Sequence, residues 1–568
     1  MVDPSEKEPI EQPWQRTRIH VPREDATLLA IPPLADAAGL VDKNAESLSG
    51  TAVEIGGRTL ASLRRETRQQ ALLAAVEFTT ALIGKAPEFS SHEKVLASGH
   101  QPELFHPGVW IKNFATSELA RRSSATGLNL IVDSDTIGSC RIRVPAGTRE
   151  RPVFKQLDFD TPREVKPWEE ARVLDQTVFA SFADRVSNSL REFDETGSPI
   201  APLIARAWPQ AVEHAQKTGS LAESLSLVRM RLEREFGYGN VELPVSQLCQ
   251  LETFSWFAAD VLLRAAEFRE VHNRTLAEYR RTNRIRSRTH PVPALAESAG
   301  WIESPFRVWR VGESQRNAVF VRTAGGRTQL SRLPVEAGIF LDVDSQIDCE
   351  SLAAELSRLA ESGIRFRTRA LTTTIFTRLC LADLFVHGIG GAKYDEMTDR
   401  ILARFYGVRP PGFLTLSATA FLPVAAPFNA THTDKHRLRT MLRELRYNPQ
   451  KHLSTEQAAE VASLVEEKQR LIVEQLEAES RRLSREKANG LSGANRYRRF
   501  PQLNRELALR TEAQQRAIRE ELTSVEQQLA ANTVLKCREF SLCLYPAERI
   551  EKMLTELQKQ LTQDRHPN

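Results

Sequence analysis

Much that would announce a specialised chain is missing. Cysteine is scarce, with six in 568 residues, at Cys140, Cys249, Cys349, Cys380, Cys537 and Cys543. None forms a CxxC pair, which excludes a zinc ribbon and a thioredoxin-type motif. So few, so widely spaced, they build no disulfide framework, and reduced thiols of a cytoplasmic protein are expected. No apolar run approaches the roughly 20 residues of a membrane span. The first stretch, MVDPSEKEPIEQPWQRTRIH, is polar and carries proline. It lacks the apolar centre of a signal peptide, so the expected protein is cytoplasmic with no membrane partner. An excess of one charge is also absent: 77 basic against 73 acidic residues leave +4. Nucleic acid is therefore not the expected partner, because such binders carry a clustered basic excess. Neither the full GxGxxG of a dinucleotide fold nor the GK[ST] of a P-loop occurs.

What is present is an ordinary globular composition, 41% hydrophobic and 26% charged. The length suits two to four structural units. Residues 1–94 read as an N-terminal arm followed by a helix from Thr51 to Ile83, with Leu60, Leu63, Leu72, Leu73 and Val76 as its apolar face. Residues 95–433 read as a parallel-sheet core. Val95–Leu96–Ala97 is a short strand, GHQPELFHPG a turn, Val109 onward a helix, and LNLIVDSDT (128–136) a buried strand. Strand, helix, strand demands a parallel pair with a right-handed crossover. A helical insertion occupies about 165–290, flanked by β-like runs such as AVFVR and GIFLDV. Residues 434–535 turn to Glu, Arg, Gln, Leu and Ala. Val461, Val465, Ile472, Leu476 and Leu483, then Ile518, Leu522, Val525 and Leu529, recur at coiled-coil spacings. The breaker NGLSGANRYRRFP, from Asn489, predicts an antiparallel coiled-coil hairpin, and so a homodimer assembled through it. Residues 536–568, with FSLCLYPAERIEKML, read as strand, turn and helix docking on the core. The predicted fold class is α/β: a Rossmann-like core with a helical insertion and a C-terminal antiparallel coiled coil.

Three constellations carry chemistry. In SGHQPELFHPGVWIKN the loop between strand and helix holds Gly99, His100, Gln101, His106 and Gly108, with Lys112 and Asn113 one turn into the helix. Parallel sheets bind ligands at strand carboxyl ends, and the free N–H groups of a helix start suit a phosphate or carboxylate. In IVDSDT, Asp133 and Asp135 end an apolar strand. Alternation would put both carboxylates on one side, to hold an amine or act as a base. In HGIGGAKYDEMTDR, His387 precedes Gly388, Gly390 and Gly391, which allow close backbone approach, and Lys393 and Tyr394 line the first turn. His100, His106, Asp133 and Asp135 are the candidate catalytic residues. The other residues of these loops are candidates for substrate binding. The blander reading makes the histidines satisfied loop residues, the aspartates turn caps and the glycines helix breaks. Glu303, Pro305 and Phe306 in WIESPFRVWR fit core packing better than a pocket. His432 and His436 share a metal-like i, i+4 spacing but lack a third ligand, so no metal is expected. YRRTNRIRSRTH (Tyr279–His290) reads as a solvated basic face, and the cysteines as inert buried thiols.

Taken in order, these pieces resemble the cysteine-adding enzymes of bacillithiol biosynthesis. Gly99, Gln101, Leu104, Phe105 and Gly108 resemble that family's glycine–glutamine loop. LIVDSDT resembles a reduced form of its acidic motif, with Ser134 in place of a histidine. HGIGGAKYDEMTDR resembles its glycine-rich helix start, and Pro546, Glu548 and Arg549 resemble its terminal segment. The resemblance spans the chain from about residue 95. It implies a Rossmann-like core, a dimerising coiled coil, and a reaction joining cysteine to the amine of glucosaminyl-malate. The leading expectation is thus a ligase-type enzyme joining cysteine, or another amino acid or acyl group, to an amine-bearing small molecule. ATP use stays open, with no recognised ATP motif. The alternative is a non-catalytic metabolite- or nucleotide-binding protein assembled through its coiled coil. The enzymatic expectation requires the three loops to converge on one concavity.

Overall fold

The structure, a computed structural model, describes Trp14 and residues 18–87, 93–162, 164–193, 200–483 and 493–562. The chain is mixed α/β and divides into two compact units. One comprises residues 1–144, 155–423 and 538–568, the other 145–154 and 424–537.

The first unit is built on a six-stranded sheet of β1 (Thr27–Ile31), β2 (Val95–His100), β3 (Thr126–Ile131), β4 (Val241–Pro244), β5 (Leu384–His387) and β6 (Leu414–Thr419). Their spatial order is β1-β6-β5-β2-β3-β4. β1 pairs antiparallel with β6, and every other pair is parallel. From β2 the chain winds outward through β3 to β4, and from β5 it winds the opposite way to β6. The carboxyl ends of β2 and β5 therefore flank a topological switch point, where open parallel sheets leave a crevice for ligands.

Alternation along the strands divides the sheet's two faces. Val95, Ala97, Leu128, Leu130, Val241 and Leu243 join the main core on one face. On the other, Ser98, Asn129 and Glu242 stand side by side in register. Four helices matter for the site. α1 (Leu60–Ile83) is capped by the Thr59 hydroxyl, which accepts from Ser62 N at 3.3 Å, and ends at Gly84 with φ +87°. It buries Leu60, Leu63 and Leu72, but Leu73 is 62% exposed, and residues 51–59 form two short strands rather than the first turns of the helix. α2 (Pro107–Arg122) starts with proline in its first turn, where the missing N–H costs nothing, and ends on Arg121 and Arg122 against the negative dipole end. α3 (Leu221–Glu235) is capped by Ser220. α4 (Ile389–Tyr406) follows Gly388 and closes on Gly407 at φ +67°.

A second, antiparallel sheet runs Ile339–Asp344, Arg327–Ser331, Asn317–Ala324, Trp301–Arg310, Ile364–Thr368. Phe306, Val308, Val319, Leu330, Ile364 and Phe366 from it share one core cluster with β2, β3 and β4. Two central-sheet strands fall in segments expected to be otherwise. β1 lies in what reads as a terminal arm and helix, and β4 lies inside the helical insertion. Each is short, so neither shows a period. The terminal segment contains a 3-10 turn, Leu542–Leu544, where a strand was expected, then the helix Ala547–Thr562. It docks through Leu542 N to Phe105 O at 2.9 Å and Tyr545 Oη to Ala420 O at 2.8 Å.

In the second unit, helix His432–Tyr447 runs antiparallel to Glu512–Leu535: Phe428 N, just before the first helix, donates to Asn532 Oδ1 at 2.8 Å, and Gln514 Nε2 donates to the carbonyl of His452, just after it, at 3.4 Å. Ala462–Leu483 likewise opposes Gly493–Leu509 through Arg499 and Glu467 at 2.8 Å. Of the expected breaker, Asn489 to Ser492 lie outside the described residues; one helix ends at Leu483, and the next begins at Gly493 and runs through Pro501 to Leu509, with a further break at Arg510–Thr511. Among the described residues, no helix is long and apolar enough to cross a membrane.

Candidate functional site

Beneath the switch point lies a buried polar network. Ser98 Oγ donates to Asn129 Oδ1 at 3.2 Å, and Asn129 Nδ2 to Glu242 Oε2 at 2.7 Å. Arg229 of α3 bridges Glu242, at 2.7 and 2.9 Å, and Glu233, at 3.1 Å. Glu233 also accepts from Trp110 Nε1 and Asn113 Nδ2, both at 2.8 Å. Asn113, a candidate for substrate contact, is therefore spent inside this network. The network ties α2 and α3 to the strands whose ends carry the site.

At the carboxyl edge, α2 and α4 start side by side. The Lys112 side chain is buried and donates to Gly99 O at 2.9 Å, and a Cβ added at Gly388 would meet its Cδ at 4.0 Å. Burial brings its ammonium down to about 8. Around it stand three imidazoles, each with one nitrogen committed. His100 Nδ1 lies 3.2 Å from Gln101 O, so it carries the proton and leaves Nε2 as a lone pair. His106, the N-cap of α2, accepts from Gly108 N at 3.1 Å through Nδ1, so Nε2 carries the proton. His387 meets Asp395 Oδ2 at 2.8 Å through Nε2, so Nε2–H donates and Nδ1 is the free lone pair. A Cβ at Gly391 would stand 2.9 Å from that Nδ1, so only glycine leaves the imidazole its place.

All three rings are held neutral. Burial, then the charge of Lys112, takes His100 down to about 3. Burial, then Arg538 and Lys112, takes His106 down to about 4. Burial lowers His387 as well, outweighing the attraction of Asp395. Burial by itself would raise the Asp395 carboxyl, but Arg378 and then His387 hold it below the ordinary range. Arg378, 1% exposed in its side chain, grips Asp395 with Nη1 and Asp399 with Nη2, the latter at 2.6 Å. The edge thus offers two lone-pair acceptors, His387 Nδ1 and His100 Nε2, one N–H donor, His106 Nε2, and one cation, Lys112.

The two aspartates of the β3 tip part company. β3 ends at Ile131, and residues 133–135 lie in a turn, so strand alternation does not reach them. Asp133 is buried and turns to Ser246, accepting from its N at 2.8 Å and from its Oγ. Burial, then Glu169, pushes it up to about 7. Asp135 faces the β2 loop, accepting from Gln101 Nε2 at 3.0 Å and Arg316 Nη2 at 3.0 Å. The structure thus brings together Gly99, His100, Gln101, His106, Gly108, Lys112, His387, Gly388, Gly391 and Asp135. Gly390 is exposed at the start of α4. Lys393 is exposed too, and Tyr394 packs with Leu276, Tyr279, Leu371 and Met397, edge-on to His290 at 5.8 Å.

Asp395, Arg378 and Arg316 are absent from the sequence-derived site. Asp395 was legible in principle: it stands four residues after Gly391, on the same face of α4. Arg378 sits in the turn Thr377–Leu381, among apolar residues that read as core. Among the described residues no group of three or more His, Cys, Asp or Glu side chains is set to hold a metal. Burial pushes the thiols of Cys249, Cys349, Cys380 and Cys543 up to about 12, which leaves them unreactive at neutral pH. Compared with known proteins, the chain matches no family model and no curated protein.

Proposed function

We propose that the crevice between the ends of β2 and β5 is a catalytic site that joins an acyl group, cysteine or another amino acid, to the amine of a small molecule. This is the reaction implied by the resemblance to the cysteine-adding enzymes of bacillithiol biosynthesis. In this reading the core is Rossmann-like, and the helices of the second unit form a coiled coil that pairs two copies.

One observation carries the proposal: an imidazole with a fixed tautomer, its Nδ1 lone pair free and its Nε2 held by a carboxylate that a buried arginine anchors, beside a desolvated lysine. A general base must be neutral at working pH and oriented by a third group. As the amine attacks the acyl carbon of an activated carboxyl, an acyl phosphate or ester, its proton passes to His387 Nδ1 and the C–N bond forms; the bond from the acyl carbon to the activating oxygen then breaks, and the departing group takes the electron pair and the proton from His387. Lys112 and the His106 Nε2–H are the donors suited to the charge developing on the acyl oxygen. His100 Nε2 is a second acceptor for an N–H of the amine. A different reading, a metabolite-binding protein without catalysis, is favoured by the engagement of Asp133 with Ser246 and of Asp135 with Gln101 and Arg316. Neither carboxylate is left over to hold an ammonium group.

The test is turnover. Purified protein is incubated with cysteine and glucosaminyl-malate, with and without ATP, and products are followed by mass spectrometry. Untargeted metabolite profiling of a deletion strain, thiols included, widens the substrate range. The expected result is a condensed product that His387→Gln removes. Ligand-induced thermal shifts without product in either experiment would favour binding alone.

A further inference from the structure

The second sheet presents one apolar and one charged face. Phe306, Val308, Ile364 and Phe366 point into the core, so their alternates, Arg307, Arg365 and Arg367, share the opposite side, and Arg369 follows directly after the strand ends at Thr368. The run IRFRTRA spells this alternation out. Arg307 lies opposite Arg367 in register, and like charges so placed destabilise a strand pair unless something neutralises them. Arg367 has its own partner, Glu169, through two bonds of 2.8 and 3.0 Å. Arg369 is paired with Glu303. Arg316 is paired with Asp135 at 3.0 Å and donates to Ser134 O at 2.7 Å. Arg307 makes no hydrogen bond or ion pair with any described residue, although it is half-buried.

We propose that Arg307, flanked by Arg316 and Arg369, anchors an oxyanionic group, carboxylate or phosphate, of the molecule that binds the crevice. The inference rests on the catalytic reading above and adds to it a class of substrate. Charge complementarity supports it. Around Arg307, three guanidinium groups face two carboxylates, Asp135 and Glu303, and one positive charge is left over. Burial and then the charges of Arg369 and Arg316 make the Arg307 guanidinium less basic, at about 10, which is the cost of leaving it unpaired there. An oxyanion would relieve that cost through the planar fork arginine offers to carboxylate and phosphate. Position supports it too. Arg316 holds Asp135, Asp135 holds Gln101, and Gln101 follows His100 at the end of β2. The anion would therefore sit across the β2 and β3 tips from the imidazoles, not on the glycines of α4.

The experiment is calorimetric titration of the full-length protein at low ionic strength with two probes, inorganic phosphate and succinate. Saturable binding of one probe is expected, and which one binds identifies the oxyanion. Arg307→Gln should weaken it about tenfold to a hundredfold, the range for one lost charge-assisted hydrogen bond. Arg307→Lys should recover part of the loss. Arg310→Gln, on the exposed end of the same strand, should bind as the unaltered protein does, and thermal melts would show that each variant is folded. Binding of neither probe, or equal binding by Arg307→Gln, overturns the inference. His387→Gln should keep probe binding while losing turnover, so a failure of the catalytic reading and a failure of the anion anchor give different results.

Discussion

Replacing Asp395 with asparagine changes one oxygen to an amide nitrogen at the centre of the His387–Asp395–Arg378 chain. Arg378 Nη1 and His387 Nε2 both bond the same carboxylate oxygen, Oδ2, so the asparagine keeps both when its carbonyl takes that place and its NH2 takes that of Oδ1. The Nε2–H tautomer is then retained. What is lost is the negative charge that stabilises the imidazolium, so Nδ1 becomes a weaker proton acceptor. If His387 is the general base, turnover should fall about 100- to 10,000-fold, the range such a proton acceptor contributes. Stability should fall by less than the 3–5 kcal/mol typical of breaking a buried ion pair, because Arg378 keeps Asp399 at 2.6 Å and the Pro411 carbonyl. About 1–3 kcal/mol, the cost of a lost hydrogen bond to a charged group, is expected in urea unfolding. The tautomer can be read without substrate. Two-bond 1H–15N correlation on histidine-labelled protein separates the two forms, and His387→Gln assigns the signal. The unaltered protein and Asp395→Asn should both show Nε2–H. A variant whose proton moves to Nδ1, or an unaltered protein already protonated at Nδ1, would refute the reasoning.

Other perturbations are as direct. Arg229→Met leaves Glu233 and Glu242 buried without their shared cation and should cost about 3–5 kcal/mol in urea unfolding at pH 7; a smaller loss at pH 5, where one carboxyl can protonate, would accompany it. Gly391→Ala puts a methyl 2.9 Å from His387 Nδ1 and should cut turnover while thermal melts show a folded protein. His100→Gln tests linkage. The folded-state value of about 3 is below the ordinary 6.5, so the unfolded chain takes up the proton first as pH falls. The stabilisation is present above pH 6.5 and lost below it. Relative to His100→Gln, the unaltered protein should therefore lose about 1.4 kcal/mol per pH unit between pH 6 and 4. Parallel stability curves for the two would mean that His100 is not buried as described.

How much was legible differs by scale. The strand–loop–helix around GHQPELFHPG was readable because an apolar run, a Pro–Gly turn and a helix start follow one another locally. The glycine start of α4 was readable for the same reason. β1 and β4 were not, since strands of five and four residues show no period and are fixed only by the neighbours they pair with. The acidic motif misled at the point where β3 stops. Alternation predicts one shared side for Asp133 and Asp135, but two residues past the strand the backbone turns, and Ser246 from a distant segment claims one of them.

By itself, then, the sequence determined the local matters: where α2 and α4 begin, that the chain mixes helix with strand, and that polar loops stand at strand ends. Only tertiary structure decided which polar groups are used up and which remain free. Asn113 is consumed by Glu233, Asp133 by Ser246 and Tyr394 by an apolar cluster. His387 Nδ1 and the Arg307 guanidinium are left available. The reason is physical: a buried polar group must find a partner, and that partner is commonly a hundred residues or more away along the chain, where no local pattern can announce it.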